Sequence, residues 1–215
     1  AALTAGRTGA DVILADEDTR MGGRLLRERE EIGGKPADEW VAASLAELEA
    51  MPNVRLMTRT TVTGAYDQGT YGASERVAGP EAADKPLECF WRIVTKHAIL
   101  CAGALERPIA FHNNDRPGIM MASAVRAYIN RWGVAPGKRV AVFGNNDDAH
   151  RTARDLTAAG VKVAAVIDSR DDAKVEGDFP IYTGATVTGT KGRHGLQSLT
   201  IRHGSETRTM QADCL

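Results

Sequence analysis

The sequence predicts an α/β protein with two lobes, each built on a mostly parallel sheet. Strand patterns alternate with helix patterns along the 215 residues, as they do in a sheet covered by helices. Two apolar strands end in acidic residues, one at Asp16 and one at Asp168, about 150 residues apart. That separation favours two lobes over one continuous sheet, and we place the lobes at residues 1–112 and 113–215.

The first lobe is predicted to begin with a helix and a strand. Residues 1–8 have the small side chains of a helix end, and Gly9 stands where a left-handed cap is needed. A buried strand over 11–17 follows, and the pair Gly22-Gly23 is typical of a close backbone approach. The remaining predicted elements are a helix at 36–50, strands at 54–58 and 61–66, a surface loop or ragged hairpin at 67–88, and an apolar strand at 90–102.

The second lobe is predicted to contain a complete strand–helix–strand unit. A strand at 138–143, a helix at 147–159 and a strand at 161–167 give about 30 residues, the length that such a unit needs. Residues 112–115 precede a Pro-Gly turn and are predicted to form a hinge between the lobes. The other predicted elements are a helix with Val125, Tyr128, Ile129 and Trp132 on one face, and late strands at 183–190 and 196–203.

Composition excludes several classes of function. The net charge is −1 and the basic residues are scattered, so neither nucleic acid nor a membrane surface is an expected partner. No apolar run approaches the ~20 residues of a membrane span, and no secretory signal is present. Three separated cysteines without CxxC spacing predict a reduced, cytoplasmic protein, with Cys101 as a core residue. The five histidines match no metal-ligand spacing.

The second lobe has an altered dinucleotide motif. Gly144 and Ala149 fit the first and third positions of G-x-G-x-x-G/A, but Asn146 stands where the second glycine admits the pyrophosphate. Asp147 and Asp148 place negative charge at the start of the helix, where a phosphate would bind, and they are predicted to cap it. Asp168 stands where an acid would bind ribose. The pattern indicates a lobe that has kept its fold and lost its ligand.

The first lobe has the opposite pattern. Its strand ends in Asp16-Glu17, where a carboxylate would accept from a ribose 2′-hydroxyl and so favour NAD, or the adenosine of FAD, over NADP. The Gly22-Gly23-Arg24 loop and the Ala102-Gly103 strand end support a binding site. No glycine fingerprint precedes the strand in this sequence. Because both ends also interrupt a pattern, we expect a segment truncated at both ends.

These residues carry a family resemblance. Asp16, Gly22-Gly23-Arg24 and the segment 99–108 resemble the two-lobed FAD/NAD(P)-binding flavoproteins of the glutathione- and thioredoxin-reductase type. The combination of five further segments is more particular and resembles the α subunit of heterotetrameric sarcosine oxidase; they are 32–36, 114–120, 122–126, 133–137 and 145–147.

The resemblance implies NAD in the first lobe and no catalytic residue or metal ligand in this chain. The parent enzyme would oxidise sarcosine with oxygen to glycine and hydrogen peroxide, and pass the one-carbon unit to tetrahydrofolate. FMN, FAD and the folate would bind other parts of a complex with β, γ and δ subunits. The residues that the resemblance assigns to NAD are Asp16 and Glu17 for the ribose, Gly22, Gly23 and Arg24 for the pyrophosphate, Val62 for the adenine, and Ala102 and Gly103 for the strand end that covers the cofactor.

Other interpretations remain open. An α-type subunit of an opine oxidase or a hydrogen cyanide synthase would share the same lobes. A non-catalytic scaffold, which holds NAD only for structure or holds nothing, is a different class of answer. A thioredoxin-reductase-like enzyme is disfavoured because two neighbouring thiols are needed to relay electrons from a flavin, and the sequence has no CxxC.

Overall fold

The chain divides into two units in a computed structural model that describes residues 1–77 and 86–215. The first unit comprises residues 1–26 and 30–103, and the second comprises 27–29 and 104–215. The elements alternate as an α/β fold requires, so the predicted fold class is confirmed. No helix among the described residues is long and apolar enough to cross a membrane.

A short parallel sheet lies at the start of the first unit. Strand β1, Val12–Ala15, pairs in parallel with β4, Val54–Met57. Helices α1, Ala2–Arg7, and α2, Ala37–Glu49, flank these strands, and Gly9 adopts φ +83° at the end of α1 as predicted. The prediction that β1 is buried is wrong. Ile13 is 47% exposed because, among the described residues, β1 has a strand partner on one side only.

A small hairpin connects this strand to α2. Strands β2, Glu31–Ile32, and β3, Lys35–Pro36, pair around two glycines with positive φ, Gly33 and Gly34. The backbone N–H of Ala37 then donates to Glu30 O at 2.9 Å, which fixes the start of α2.

An antiparallel sheet completes the first unit and decides between two predicted alternatives. It consists of β5, Thr60–Tyr66, β6, Thr70–Arg76, and β7, Glu88–Val94, in that order. Of the loop and the ragged hairpin predicted for 67–88, the structure agrees with the hairpin, because 70–76 is a strand that pairs antiparallel with both neighbours. Small residues in β6 allow neighbouring groups to pack closely against the strand. Ala73 is fully buried, and a Cβ on Gly72 would lie 2.8 Å from the Phe90 ring. Residues 78–85 of the predicted loop lie outside the described residues.

The apolar segment after β7 is not a strand. β7 ends at Val94, and Leu100 is 90% exposed. Cys101 is also exposed, so its predicted place in the core is wrong. An apolar segment forms a buried strand only where a neighbouring strand supplies backbone hydrogen bonds and other elements pack on its faces. No described strand pairs with residues 95–102.

The predicted strand–helix–strand unit is confirmed in the second unit. Strands β8, Arg139–Gly144, and β9, Lys162–Asp168, pair in parallel, and β10, Ile181–Thr183, extends the sheet. Helix α4, Asp147–Ala158, connects β8 to β9. Apolar side chains of the strands and the helix form one core, which includes Val140, Val142, Ala153, Leu156 and Val166.

A second helix packs on this core. Helix α3, Ala122–Arg126, continues into a π-helical turn, Ala127–Arg131, and Gly133 ends it with φ +65°. Val125 and Ile129 are buried as the spacing predicts. Trp132 is 62% exposed, so the predicted apolar face is buried only in part.

An antiparallel meander closes the second unit. It is formed by β11, Ala185–Lys191, β12, Ser198–His203, and β13, Glu206–Gln211. Sequence reasoning missed β13 because its residues, apart from the half-buried Met210, are exposed and polar. His112 forms a bridge with Gly189 of β11, so the segment predicted as a hinge between lobes is part of the second unit.

Candidate dinucleotide-binding site

Asp16 occupies a fixed turn at the carboxyl end of β1. Its N–H donates to Met57 O and its carbonyl accepts from the Thr60 N–H, both at 2.9 Å. The carboxylate accepts from the Asp18 N–H, also at 2.9 Å. A carboxylate has acceptor positions for about four hydrogen bonds. The geometry therefore places a half-buried acid at the end of a parallel strand, with acceptor capacity for a ribose hydroxyl.

The two loop glycines are required for different reasons. Gly22 has φ +137°, and a Cβ there would lie 2.8 Å from Leu26 Cδ2 and 3.0 Å from Val41 Cγ1. Gly23 has φ +53°, but a Cβ would meet nothing within 4 Å. Gly22 is thus excluded from carrying a side chain by packing as well as conformation, and Gly23 by conformation alone. Gly23 is exposed and Gly22 is half-buried, so the loop is partly accessible from solvent.

The other predicted NAD residues are exposed to different degrees and lie in different elements. Glu17 follows Asp16 at the end of β1 and is exposed, as is Arg24 in the 3₁₀ turn Gly23–Arg27. Val62 is 51% exposed on β5. Ala102 and Gly103 are exposed and lie in no described strand. Residues 102–103 therefore do not form the predicted strand end.

The corresponding position in the second unit is closed by the protein itself. Asn146 is the N-cap of α4, and its Oδ1 accepts from the N–H groups of Asp148 and Ala149 at 3.1 and 3.4 Å. The prediction that Asp147 and Asp148 cap the helix is therefore wrong, because they lie in its first turn. Asn146 uses the N–H groups that would bind a phosphate.

The carboxylate of Asp168 likewise makes its hydrogen bonds to other residues of the chain. Its side chain is 1% exposed. The Oδ2 atom lies 2.6 Å from His150 Nε2 and accepts from Arg170 Nη2 at 2.9 Å. The Oδ1 atom accepts from the Arg170 N–H and Nε at 2.9 and 3.1 Å. All four acceptor positions are filled, so no ribose hydroxyl can bind this acid.

Arg170 joins this acid to the start of α4. Its Nη2 also donates to Asp147 Oδ1 at 2.7 Å, and this contact lowers the pKa of Asp147. Burial by itself would raise the pKa of Asp168, but hydrogen bonds from Arg170 and His150 hold it below its ordinary value. The pKa of Arg170 is raised by the same two carboxylates. The sequence interpretation missed this network, although an arginine two residues after the acid is a signal that could have indicated it.

Among the residues that the structure describes, no group of three or more His, Cys, Asp and Glu side chains could hold a metal ion. The free thiols of Cys89, Cys101 and Cys214 differ in burial, and burial raises the pKa of Cys214 to about 11.

Comparison with solved structures identifies the class of fold. The chain aligns over 100% of its length with 38% of an L-proline dehydrogenase from P. horikoshii, with a TM-score of 0.74 and 21% identity. It aligns over 99% of its length with 70% of a Lactococcus lactis thioredoxin reductase, with a TM-score of 0.69 and 15% identity. The chain therefore has the Rossmann-type FAD/NAD(P)-binding fold of the thioredoxin reductases. No protein-family model matches it.

Comparison with curated protein sequences identifies more specific relatives than the fold does. The chain is 47% identical over its whole length to the α subunit of sarcosine oxidase from Rhizobium meliloti (strain 1021), and 44% identical over 79% of its length to the corresponding subunit from Corynebacterium sp. (strain P-1). The chain is therefore homologous to a segment of sarcosine oxidase α subunits, over its whole length in the Rhizobium meliloti protein. It spans 22% and 18% of the lengths of these two relatives. An opine oxidase subunit from Agrobacterium tumefaciens (strain Ach5) is 30% identical over 79% of the chain, which covers 34% of that protein.

Proposed function

We propose that the chain is the dinucleotide-binding region of a sarcosine oxidase α subunit, and that its first unit binds NAD. The observation that carries the proposal is the 47% identity over the whole chain to such a subunit. The geometry supports it, because one unit presents an acid and a glycine loop while the other fills the equivalent groups internally.

The described residues fit an adenine dinucleotide in the first unit. Asp16 would accept a hydrogen bond from the adenosine ribose, and its charge would repel the 2′-phosphate of NADP. The backbone of Gly22 and Gly23 would approach the pyrophosphate, with Arg24 beside it. Further contacts are proposed for Glu17 with the ribose, Val62 with the adenine, and Ala102 and Gly103 over the cofactor.

The proposed parent enzyme oxidises sarcosine to glycine with oxygen, releases hydrogen peroxide and passes one carbon to tetrahydrofolate. FMN, FAD and tetrahydrofolate would bind elsewhere in a cytoplasmic complex with β, γ and δ subunits. We propose that no residue of this chain acts catalytically in that reaction, and that the chain contributes by binding and orienting NAD.

Titration calorimetry with NAD tests the binding proposal. Asp16→Asn should weaken binding about tenfold or more, because it removes a charge-assisted hydrogen bond. Asp147→Asn is the matched control and should leave the affinity unchanged. If NAD instead bound at the start of α4, removing the Asp147 charge would strengthen binding, and that result would overturn the assignment to the first unit.

The chain alone should produce no peroxide from sarcosine and oxygen, with or without added NAD, FMN or FAD. The reason is that its proposed role is to bind NAD, whereas the amine is oxidised elsewhere in the complex. A coupled peroxidase assay on the purified chain measures this directly. Sustained peroxide production would show that the catalytic groups lie in this chain after all.

A second candidate is an α-type subunit of an opine oxidase. The 30% identity to the Agrobacterium opine oxidase subunit over 79% of the chain favours it. Both candidates would share the same two lobes, so the lobes alone do not distinguish them. Reconstitution of the complete complex and comparison of its rates with sarcosine and with an opine would separate them.

A further inference from the structure

Strand β7 lies at the edge of the antiparallel sheet of the first unit. It pairs with β6 along one side, and no strand among the described residues pairs with its other side. An unpaired strand edge leaves backbone N–H and C=O groups available to a further strand. The residue pattern of β7 therefore decides what such a strand would have to offer.

Two hydrogen bonds at the ends of the β6–β7 ladder show which residues of β7 use their backbone for β6. Val77 N–H donates to Leu87 O at 3.0 Å. Thr95 N–H donates to Gly69 O, also at 3.0 Å. In an antiparallel ladder the hydrogen-bonded positions recur at every second residue, so the odd-numbered residues of β7 bond to β6. The backbone groups of the even-numbered residues point to the open edge; these residues are Glu88, Phe90, Arg92 and Val94.

The same four residues place their side chains on one face of the sheet, because successive side chains of a strand point to opposite faces. Phe90 is 66% exposed and Val94 is 63% exposed. Glu88 and Arg92 are exposed as well. The open edge of β7 thus carries two large apolar side chains and two opposite charges, all accessible from solvent.

The two charges are placed symmetrically about the aromatic residue. Glu88 precedes Phe90 by two positions, and Arg92 follows it by two. In an antiparallel pair of β7 strands in which the two Phe90 residues face each other, each Glu88 stands opposite the Arg92 of the other copy. Opposite charges in that position are favourable. A ladder centred on either charged residue would instead bring like charges together, so the charges favour the register centred on Phe90.

The backbone fits the same register. The residues that it brings opposite each other are those whose N–H and C=O groups point to the open edge, so each pair can exchange two hydrogen bonds. Val94 would stand opposite Pro86 of the other copy. Proline has no N–H to donate, so the ladder would end there.

We propose that the open edge of β7 binds a second copy of this chain through an antiparallel β7–β7 ladder centred on Phe90, with reciprocal Glu88–Arg92 ion pairs. The three-stranded sheets of the two copies join into one continuous sheet. Such an interface is isologous, because each copy contributes the same residues. Exposed ion pairs add little to affinity, so the backbone ladder and the Phe90 contact hold the dimer while the charges set its register. The proposal does not depend on the proposed NAD site.

Sedimentation equilibrium of the chain over a range of concentrations tests the self-association. The unsubstituted chain should show a reversible equilibrium between monomer and dimer. Arg92→Glu should raise the Kd of the dimer about tenfold or more, because it places two carboxylates opposite each other at two symmetric positions. Lys35→Glu is the matched control, since it makes the same change of charge at an exposed position of β3, and it should leave the Kd unchanged. A chain that stays monomeric, or a dimer that Arg92→Glu leaves intact, would overturn the proposal.

Mixing two variants tests the register. Glu88→Arg has two positive charges on this edge and Arg92→Glu has two negative charges, so each should pair poorly with itself. In a mixture every charge stands opposite its complement, and the heterodimer should form with a Kd about tenfold or more below that of either variant alone. Sedimentation of the mixture with one variant labelled measures this. If the mixture associates no better than the separate variants, the proposed ladder is wrong.

Residue-resolved hydrogen exchange locates the contact. Between a concentration well below the Kd and one well above it, the amides of Glu88, Phe90 and Arg92 should slow about tenfold or more. Slowing confined to other strands would place the dimer contact elsewhere and contradict the proposal. If the chain is monomeric and these amides slow only in the reconstituted oxidase complex, the edge binds a strand of another subunit and the second copy is ruled out.

Discussion

Asp168→Asn should destabilise the second unit by about 2–4 kcal/mol, because it removes the charge that pairs with Arg170 and turns one of two acceptor oxygens into an NH2 donor that faces other donors. The carboxylate accepts from the Arg170 N–H, Nε and Nη2 and contacts His150 Nε2, and its side chain is 1% exposed. Urea unfolding read through exchange of β8 and β9 amides measures the change. Asp172→Asn, at an exposed neighbouring acid, should stay within about 0.5 kcal/mol.

The same network makes the second unit sensitive to acid. The pKa of Asp168 is lowered in the folded state, so the carboxylate stabilises the fold fully above its unfolded pKa, near 4. That stabilisation is lost as the pH falls below about 4 and through the folded pKa. In Asp168→Asn the unfolding free energy should fall less steeply over this range. Equal slopes in the two proteins would show that Asp168 does not carry the acid dependence.

Periodicity predicted the elements that bury side chains on a regular pattern. β8, α4 and β9 each contribute apolar residues to one core, so the spacing of these apolar residues along the sequence predicted the three elements. β6 is not recognisable as a regular strand because its small residues resemble turn residues, although Gly72 is small for a packing reason, since a Cβ there would lie 2.8 Å from the Phe90 ring. The segment 98–102 was misread for the opposite reason. Its apolar composition predicts burial, but a strand also needs a partner that the described residues do not provide.

The sequence predicted that the second unit does not bind a dinucleotide at the start of α4, but not which contacts prevent it. Asn146 was recognised as an obstacle to phosphate, and the structure shows that its side chain uses the helix N–H groups itself. The role of Asp168 was predictable only in part, because Arg170 follows it by two residues but His150 reaches it from α4 and forms no motif with it. The buried ion pair between Glu28 and Arg126 was missed because the two residues lie about 100 positions apart in the sequence. Contacts between polar residues that are far apart in the sequence produce no periodic pattern from which they could be predicted.

Gly144→Ala should destabilise the second unit by about 1–3 kcal/mol, although no ligand is involved. A Cβ on Gly144 would overlap the Cβ of Ala149 in the first turn of α4, so this glycine allows the helix to pack on β8. Ala149→Gly alone should cost about 1 kcal/mol through helix propensity. The double variant Gly144→Ala/Ala149→Gly should be more stable than the sum of the two changes predicts, by about 1 kcal/mol, because the two methyl groups no longer compete.

Gly195→Ala is the control, since its Cβ would lie at an ordinary 3.6 Å from Pro117 O. Urea midpoints at constant slope measure all four proteins. Strict additivity would mean that Gly144 is required for something other than contact with Ala149, and a ligand at this turn would then have to be reconsidered.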